Sequence, residues 1–177
     1  MKKITMAFYF FFLISGATAL IYEVIWARIL QLTFGSTVYA ITTVLTAFMA
    51  GLSIGSYFMG KLAEKRKSPL FMYALLEIGI GIYALITPFL LNLTDTIYLL
   101  YYHRIWQQQE LLFVVRFLHS FVVLIIPTIF MGATLPVLSK YLISRFENFG
   151  KTLSLLYAVN SFGGMLGTAF VGFYSIQ

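Results

Sequence analysis

Three ionisable residues, Glu23, Glu77 and Arg116, interrupt long apolar runs in this chain of 177 residues. In hydrocarbon an uncompensated charge costs several kcal/mol, so such groups are paired, hydrated or protonated, and they mark ion pairs, cation sites or proton relays. Glu77 is the most demanding of the three. It follows Pro69 by eight residues, roughly 12 Å along a helix, which is too deep for a short side chain to reach water. A partner is available where Tyr157, Asn160, Ser161, Gly164 and Thr168 form one small, polar helical stripe, with Asn160 roughly 14 Å in from Lys151. Glu77, Tyr157, Asn160 and Ser161 are therefore the candidate intramembrane site. Its chemistry is either a structural hydrogen bond within a bundle or a proton or cation site, for which a cationic amine is the natural ligand. Glu23 lies roughly 30 Å from Lys3, and Arg116 stands about one turn inside the start of its own apolar run. Equal depth makes them a candidate outer ion pair, the alternative being that each reaches the headgroups separately.

Small residues recur at the spacing that lets helix backbones approach closely: Ala47, Gly51 and Gly55, Ser56 with Gly60, and Gly163 with Gly167. Ordinary tight contacts within one bundle explain them better than a dimer face. Other apparent motifs carry nothing. Gly79-Ile80-Gly81-Ile82-Tyr83-Ala84 has dinucleotide-binding spacing but sits in mid-run with no preceding strand, so its glycines read as packing residues. His103 and His119 lack ligand partners at metal spacing, and there are no cysteines, which removes thiolate chemistry and Cys-based clusters. Asn92-Leu93-Thr94 is a glycosylation sequon in form only. No nucleophile with its base and no phosphate-binding loop is recognisable, so neither a cofactor nor a metal is expected.

The elements that must position these residues follow from composition. Hydrophobic residues make up 60% and charged residues only 10%, against about 25% charged in a soluble domain, and mean hydropathy is +0.90, so lipid must cover most of the surface. The formal charge of +6 then reflects cytoplasmic loops rather than a nucleic-acid footprint. Crossing roughly 30 Å of hydrocarbon takes about 20 apolar residues. Five stretches qualify, at about 4–22, 37–60, 70–93, 111–131 and 152–174. Unpaired strands cannot satisfy their backbone in lipid, so the fold class is all-α, a single polytopic membrane bundle of about five helices.

Placing the N-terminus in the cytoplasm, in what is expected to be a bacterial plasma membrane, puts Lys2, Lys3, Lys61, Lys65, Arg66, Lys67, Lys140, Arg145 and Lys151 inside, against Arg28 and Arg104 outside. Lys2, Lys3, the first apolar run and Ala17-Thr18-Ala19 also have the shape of a signal peptide, but the run is long and more spans follow, which favours a retained anchor. An odd helix count ending at Gln177 reads as a truncated or split bundle.

The connections have their own patterns. Tyr98, Tyr101, Tyr102 and Trp106 place Thr94–Glu110 on the outer interface, and Glu23–Phe34 reads as a helix with Trp26 and Arg28 near that surface. Val137–Phe149 is either an inner-surface helix or an extension of the fourth span. Pro127 and Pro136, bracketing Gly132-Ala133-Thr134, predict a kink or break.

Taken in order, Ser15-Gly16-Ala17, Ile21-Tyr22-Glu23-Val24-Ile25-Trp26-Ala27-Arg28, Phe34-Gly35-Ser36-Thr37, Phe48-Met49-Ala50-Gly51-Leu52, Leu76-Glu77, Gly132-Ala133-Thr134-Leu135-Pro136 and Leu156-Tyr157-Ala158-Val159-Asn160 resemble the membrane part of spermidine synthase-like proteins. The resemblance covers nearly the whole chain. It implies a transporter-like bundle joined to a cytoplasmic aminopropyltransferase domain, which this sequence lacks together with its catalytic residues. Gly60-Lys61-Leu62-Ala63-Glu64-Lys65-Arg66-Lys67 also resembles the charged loop of major facilitator transporters, without the second glycine. The expected role is to anchor a synthase domain, or to bind or pass a small cation such as a polyamine, with no catalysis by this chain. A half-size facilitator-type transporter acting as a homodimer and a structural subunit of a membrane complex remain as alternatives. The expected partners are the bilayer, a synthase-like domain, a polyamine or other small cation and a second copy, and not nucleic acid.

Overall fold

The computed structural model describes residues 2–65, 68–105, 109–143 and 149–175. Five helices account for nearly all of them: α1 (Lys2–Phe34), α2 (Thr37–Lys65), α3 (Pro69–Ile105), α4 (Gln109–Ile143) and α5 (Phe149–Phe170), the last continued by a π-helical turn (Val171–Ser175). Each contains a segment long and apolar enough to cross a membrane: Met6–Phe34, Thr37–Ala63, Pro69–Leu93, Phe113–Leu142 and Gly150–Tyr174. The chain is thus an all-α, multi-pass bundle. Along α3, Phe71, Leu75, Ile78, Ile82, Leu85 and Phe89 recur every three or four residues and are all more than half exposed, an apolar ridge suited to a lipid environment. Among the predicted features, Arg66, Lys67, Trp106, Ser144, Arg145, Phe146 and Glu147 lie outside the described residues.

Several expected boundaries move because helices continue wherever nothing stops them. Glu23–Phe34 is the second half of α1, not a separate interfacial helix. No glycine or proline interrupts it until Gly35, whose positive φ of 66° ends the helix while its N–H bonds the Gln31 carbonyl. Ser36 then opens α2, its carbonyl accepting from the Ala40 N–H. Thr94–Ile105 likewise extends α3 instead of lying on the interface, and Val137–Ile143 extends α4.

Two close helix pairs organise the bundle. A Cβ on Gly51 would overlap the Thr128 side chain, one on Gly55 the Ile129 carbonyl and one on Gly132 the Leu52 backbone, so α2 and α4 meet nearly backbone to backbone. α1 and α5 meet in the same way, with Gly163 on the Leu13 carbonyl, Gly167 on the Ala17 carbonyl and Gly16 on Asn160. In both pairs the contacts advance in the same direction, so the partners run parallel. The predicted Ser56 and Gly60 spacing makes no such approach, since a Cβ on Gly60 would meet only Pro136 at 3.8 Å. α3 packs on the other side of α4, α1 links the two pairs, and α2 does not pack on α5.

One cluster of buried apolar residues, including Trp26, Leu30, Phe34, Val44 and Phe48, fills the end holding the α1–α2 turn. A second, including Phe12, Tyr73, Leu76, Val137 and Leu156, fills the end holding the N-terminus.

The predicted break in α4 does not occur, and the helix runs through both Pro127 and Pro136. Pro127 has no N–H, so the Val123 carbonyl four residues earlier loses its helical donor. The Tyr83 hydroxyl of α3 supplies one instead, at 3.0 Å. Tyr83→Phe should therefore cost about 1–2 kcal/mol, because it leaves a buried carbonyl unsatisfied. In a Pro127→Ala background, where the backbone donor returns, the same substitution should cost close to nothing. Unfolding titrations in mixed micelles would reveal this coupling, and equal costs in both backgrounds would refute it.

Candidate functional site

Glu77 stands half-buried on the face of α3 that meets α1. The Ser15 hydroxyl of α1 donates to its Oε1 at 2.7 Å, and Tyr73, one turn earlier on α3, is buried on the same helix face. A hydroxyl from a neighbouring helix thus takes the place of water at this depth. The arrangement differs from the expected contact with Asn160. α5 packs on α1 and not on α3, so α1 stands between the two groups. Ser15 and Gly16 are neighbours in sequence, yet Ser15 serves Glu77 while Gly16 abuts Asn160.

The other members of the expected set line a cavity of about 560 Å³. It lies between the two helix pairs. Ser15, Gly16 and Glu23 of α1 line it, with Met49 and Ser56 of α2, Gly132 and Thr134 of α4, and Tyr157, Asn160 and Ser161 of α5. Apolar walls come from Phe12, Leu20, Phe48, Leu52, Met131 and Leu135. Tyr157, Asn160 and Ser161 are therefore together, and Glu77 is behind the wall they face, with Ser15 touching both places. The volume suits a small organic molecule and far exceeds what a bare metal ion needs. Among the described residues no group of three or more His, Asp or Glu could hold a metal ion.

Glu23, not Glu77, is the acid that lines the cavity with Tyr157, Asn160 and Ser161. It was expected at the membrane boundary beside Arg116, but α1 continues eleven residues beyond it to Phe34, roughly 16 Å. Arg116 sits near the far end of α4, one turn from Phe113, whose ring packs on Tyr39 at 4.7 Å just past the α1–α2 turn. The two charges are at different depths, and Arg116 is not among the residues lining the cavity around Glu23. The depth argument that pairs them requires α1 to end near Tyr22, and α1 continues to Phe34.

Ser15, Tyr73 and the apolar walls are the residues that sequence reasoning missed. Tyr73 carried a signal, being four residues before Glu77 and so on the same helix face. Ser15 carried none without the knowledge that α1 lies against α3. Elsewhere, His119 has a structural task. Its Nε2 lies 3.3 Å from the Leu90 carbonyl, so that nitrogen carries the proton and ties α4 to α3. The Lys140 ammonium bonds the Ala63 carbonyl near the C-terminus of α2, where the helix dipole favours a cation.

These features define a class, a multi-pass helical membrane protein with an acid-lined cavity at mid-depth. Comparison with family models, with curated proteins and with solved structures finds no match to this chain.

If Glu77 is held structurally, Ser15→Ala and Glu77→Gln should each destabilise the bundle by about 1–3 kcal/mol, and the double variant should fall short of their sum by about 1 kcal/mol or more. A double-mutant cycle on unfolding in detergent measures this. Strict additivity would mean that the bond contributes nothing.

Proposed function

We propose that this chain is a membrane-embedded binding domain for a small organic cation, with Glu23 as its counter-ion. The observation that carries the reading is a carboxylate lining a cavity within the bundle, where no described lining residue bears positive charge. In a low-dielectric site a lone carboxylate attracts a cation far more strongly than in water, and the cation in turn relieves the cost of burying the acid. Asn160, Ser161, Ser56 and Thr134 offer hydroxyl and amide oxygens to the ammonium hydrogens. The resemblance of the sequence to the membrane part of spermidine synthase-like proteins supports an amine as the ligand class, polyamines included. The chain passes such a ligand or presents it to a synthase domain; both roles need this site first.

We read the end holding the N-terminus as cytoplasmic. Lys61 and Lys65 close α2, Lys140 lies in the last turn of α4 and Lys151 in the first turn of α5, all at that end, as the inside bias of basic residues requires.

Titrating the protein in nanodiscs with n-butylamine, putrescine and spermidine should give saturable binding for at least one of them. Glu23→Gln should weaken it tenfold or more, which is about 1.4 kcal/mol. Binding that is unchanged by this substitution would remove the proposed counter-ion. The absence of cysteine makes the orientation easy to test. Ser36→Cys should react with an impermeant maleimide on intact cells, and Ser68→Cys only after permeabilisation. The opposite pattern would reverse the assigned topology.

A further inference from the structure

Resting on that reading, we propose that the ligand is an amphiphilic amine with a single cationic centre and an apolar body, and that it reaches the cavity sideways from the bilayer through the gap between α2 and α5. The route follows from what closes the cavity and what leaves it open. Beyond Glu23, Trp26 is 2% exposed and stacks on Tyr22 with ring centroids 5.8 Å apart, and Leu30 and Phe34 continue the plug. At the other end Phe12 and Leu156, 1% and 0% exposed, belong to the second core cluster. The exposed lining residues are Met49, Ser56, Tyr157 and Ser161, which face each other from the two helices that do not pack together.

The depth of this rim decides what meets it. Met49 and Ser56 lie inside the Thr37–Ala63 span, and Tyr157 and Ser161 inside Gly150–Tyr174, each seven or more residues from either end. At about 1.5 Å per residue the opening is roughly 10 Å or more from both membrane surfaces, among acyl chains. A solute arriving there has already dissolved in the bilayer, which selects an amphiphile over a strongly hydrated ion.

The charge count selects further. Glu23 is the one carboxylate among the lining residues, and the rest of the wall is largely apolar, so a second or third ammonium would have no counter-charge. A polyamine is therefore the poorer ligand. A zwitterionic phospholipid is poorer still, because its phosphate would meet Glu23 with no Lys or Arg in the lining to receive it. An alkyl chain against Leu20, Phe48 and Leu52, with its ammonium on Glu23 and the nearby oxygens, satisfies both halves of the wall.

Trp26 reports on the site, because it lies one turn beyond Glu23. In a Trp106→Phe background it is the one tryptophan left. Full-length protein in phosphatidylcholine nanodiscs would be titrated with 8-bromooctylamine, whose bromine quenches nearby indole emission. Saturable quenching is expected, reversed by unbrominated octylamine and shifted at least tenfold to higher concentration by Glu23→Gln, with Glu23→Asp retaining most of the affinity. Putrescine should displace the probe at least tenfold less effectively than octylamine. Displacement by putrescine at equal concentration would overturn the single-charge amphiphile while leaving an organic cation in the site. Equal displacement by octanol would overturn recognition of charge. Loss of the signal in phosphatidylethanolamine nanodiscs would assign the cavity to a headgroup and overturn the proposal. No saturable signal with octylamine, together with no binding of putrescine or spermidine, would remove both this inference and the cation-binding reading. Filling the gap by Ser56→Phe with Ser161→Phe should slow quenching by tenfold or more. An unchanged rate, in protein that still elutes as a single species, would overturn the lateral route.

Discussion

Backbone-to-backbone contact at glycines is the constraint on which this bundle rests. In lipid there is no hydrophobic gain from bringing two apolar helices together, so association depends on close van der Waals fit, and fit is best where no side chain intervenes. Gly51, Gly55 and Gly132 give it to α2 and α4, and Gly16, Gly163 and Gly167 give it to α1 and α5. Each pair is locked by its own contacts, and the pairs meet one another through larger side chains. The cavity is the space left between them. Its position follows from where the small residues are, and the residues lining it project from the flanks of the two locked pairs.

The same scarcity of water explains how the polar atoms are disposed. Thr43, Thr87 and Thr128 are buried, and each returns its hydroxyl to the carbonyl four residues earlier, while Thr128 also reaches the Ala47 carbonyl across the α2–α4 contact. Tyr83 serves the carbonyl that Pro127 deprives of a donor. Glu77 is treated in this manner too, accepting from Ser15. Glu23 is not. It lines the open cavity instead, and this contrast between two acids in one bundle is what the proposed binding role rests on.

Much of the architecture was legible in the residues. Apolar runs interrupted by Lys61, Lys151 and the stretch after Leu93 fix five membrane-crossing helices, and the small-residue spacing singles out Gly51, Gly55, Gly163 and Gly167. Helix ends were legible only where a stop is chemical, as at Gly35 and Pro69. They were misplaced where the stop was assumed from membrane thickness, as at Tyr22, since a helix carries on through Glu23 and Arg28 unless a residue ends it. The site was half legible. Tyr157, Asn160 and Ser161 share a helix face, and periodicity alone groups them. Which acid they face depends on whether α1 or α3 lies beside α5, and no local pattern encodes that choice.

Ser15 joins the two acidic places. Its hydroxyl lines the cavity and is donated to Glu77, so the proton that fixes Glu77 belongs to a group within reach of a bound ligand. The Ser15 oxygen, already donating to Glu77, could accept from an ammonium bound in the cavity. Accepting a cation polarises the hydroxyl and strengthens its bond to the carboxylate. On the proposed reading, occupancy of the cavity would strengthen the hold of α1 on α3, although Glu77 does not line the cavity. The same linkage would give the two acids unequal parts on that reading, Glu23 the attraction and Glu77, through Ser15, the steadying of the helix that carries it.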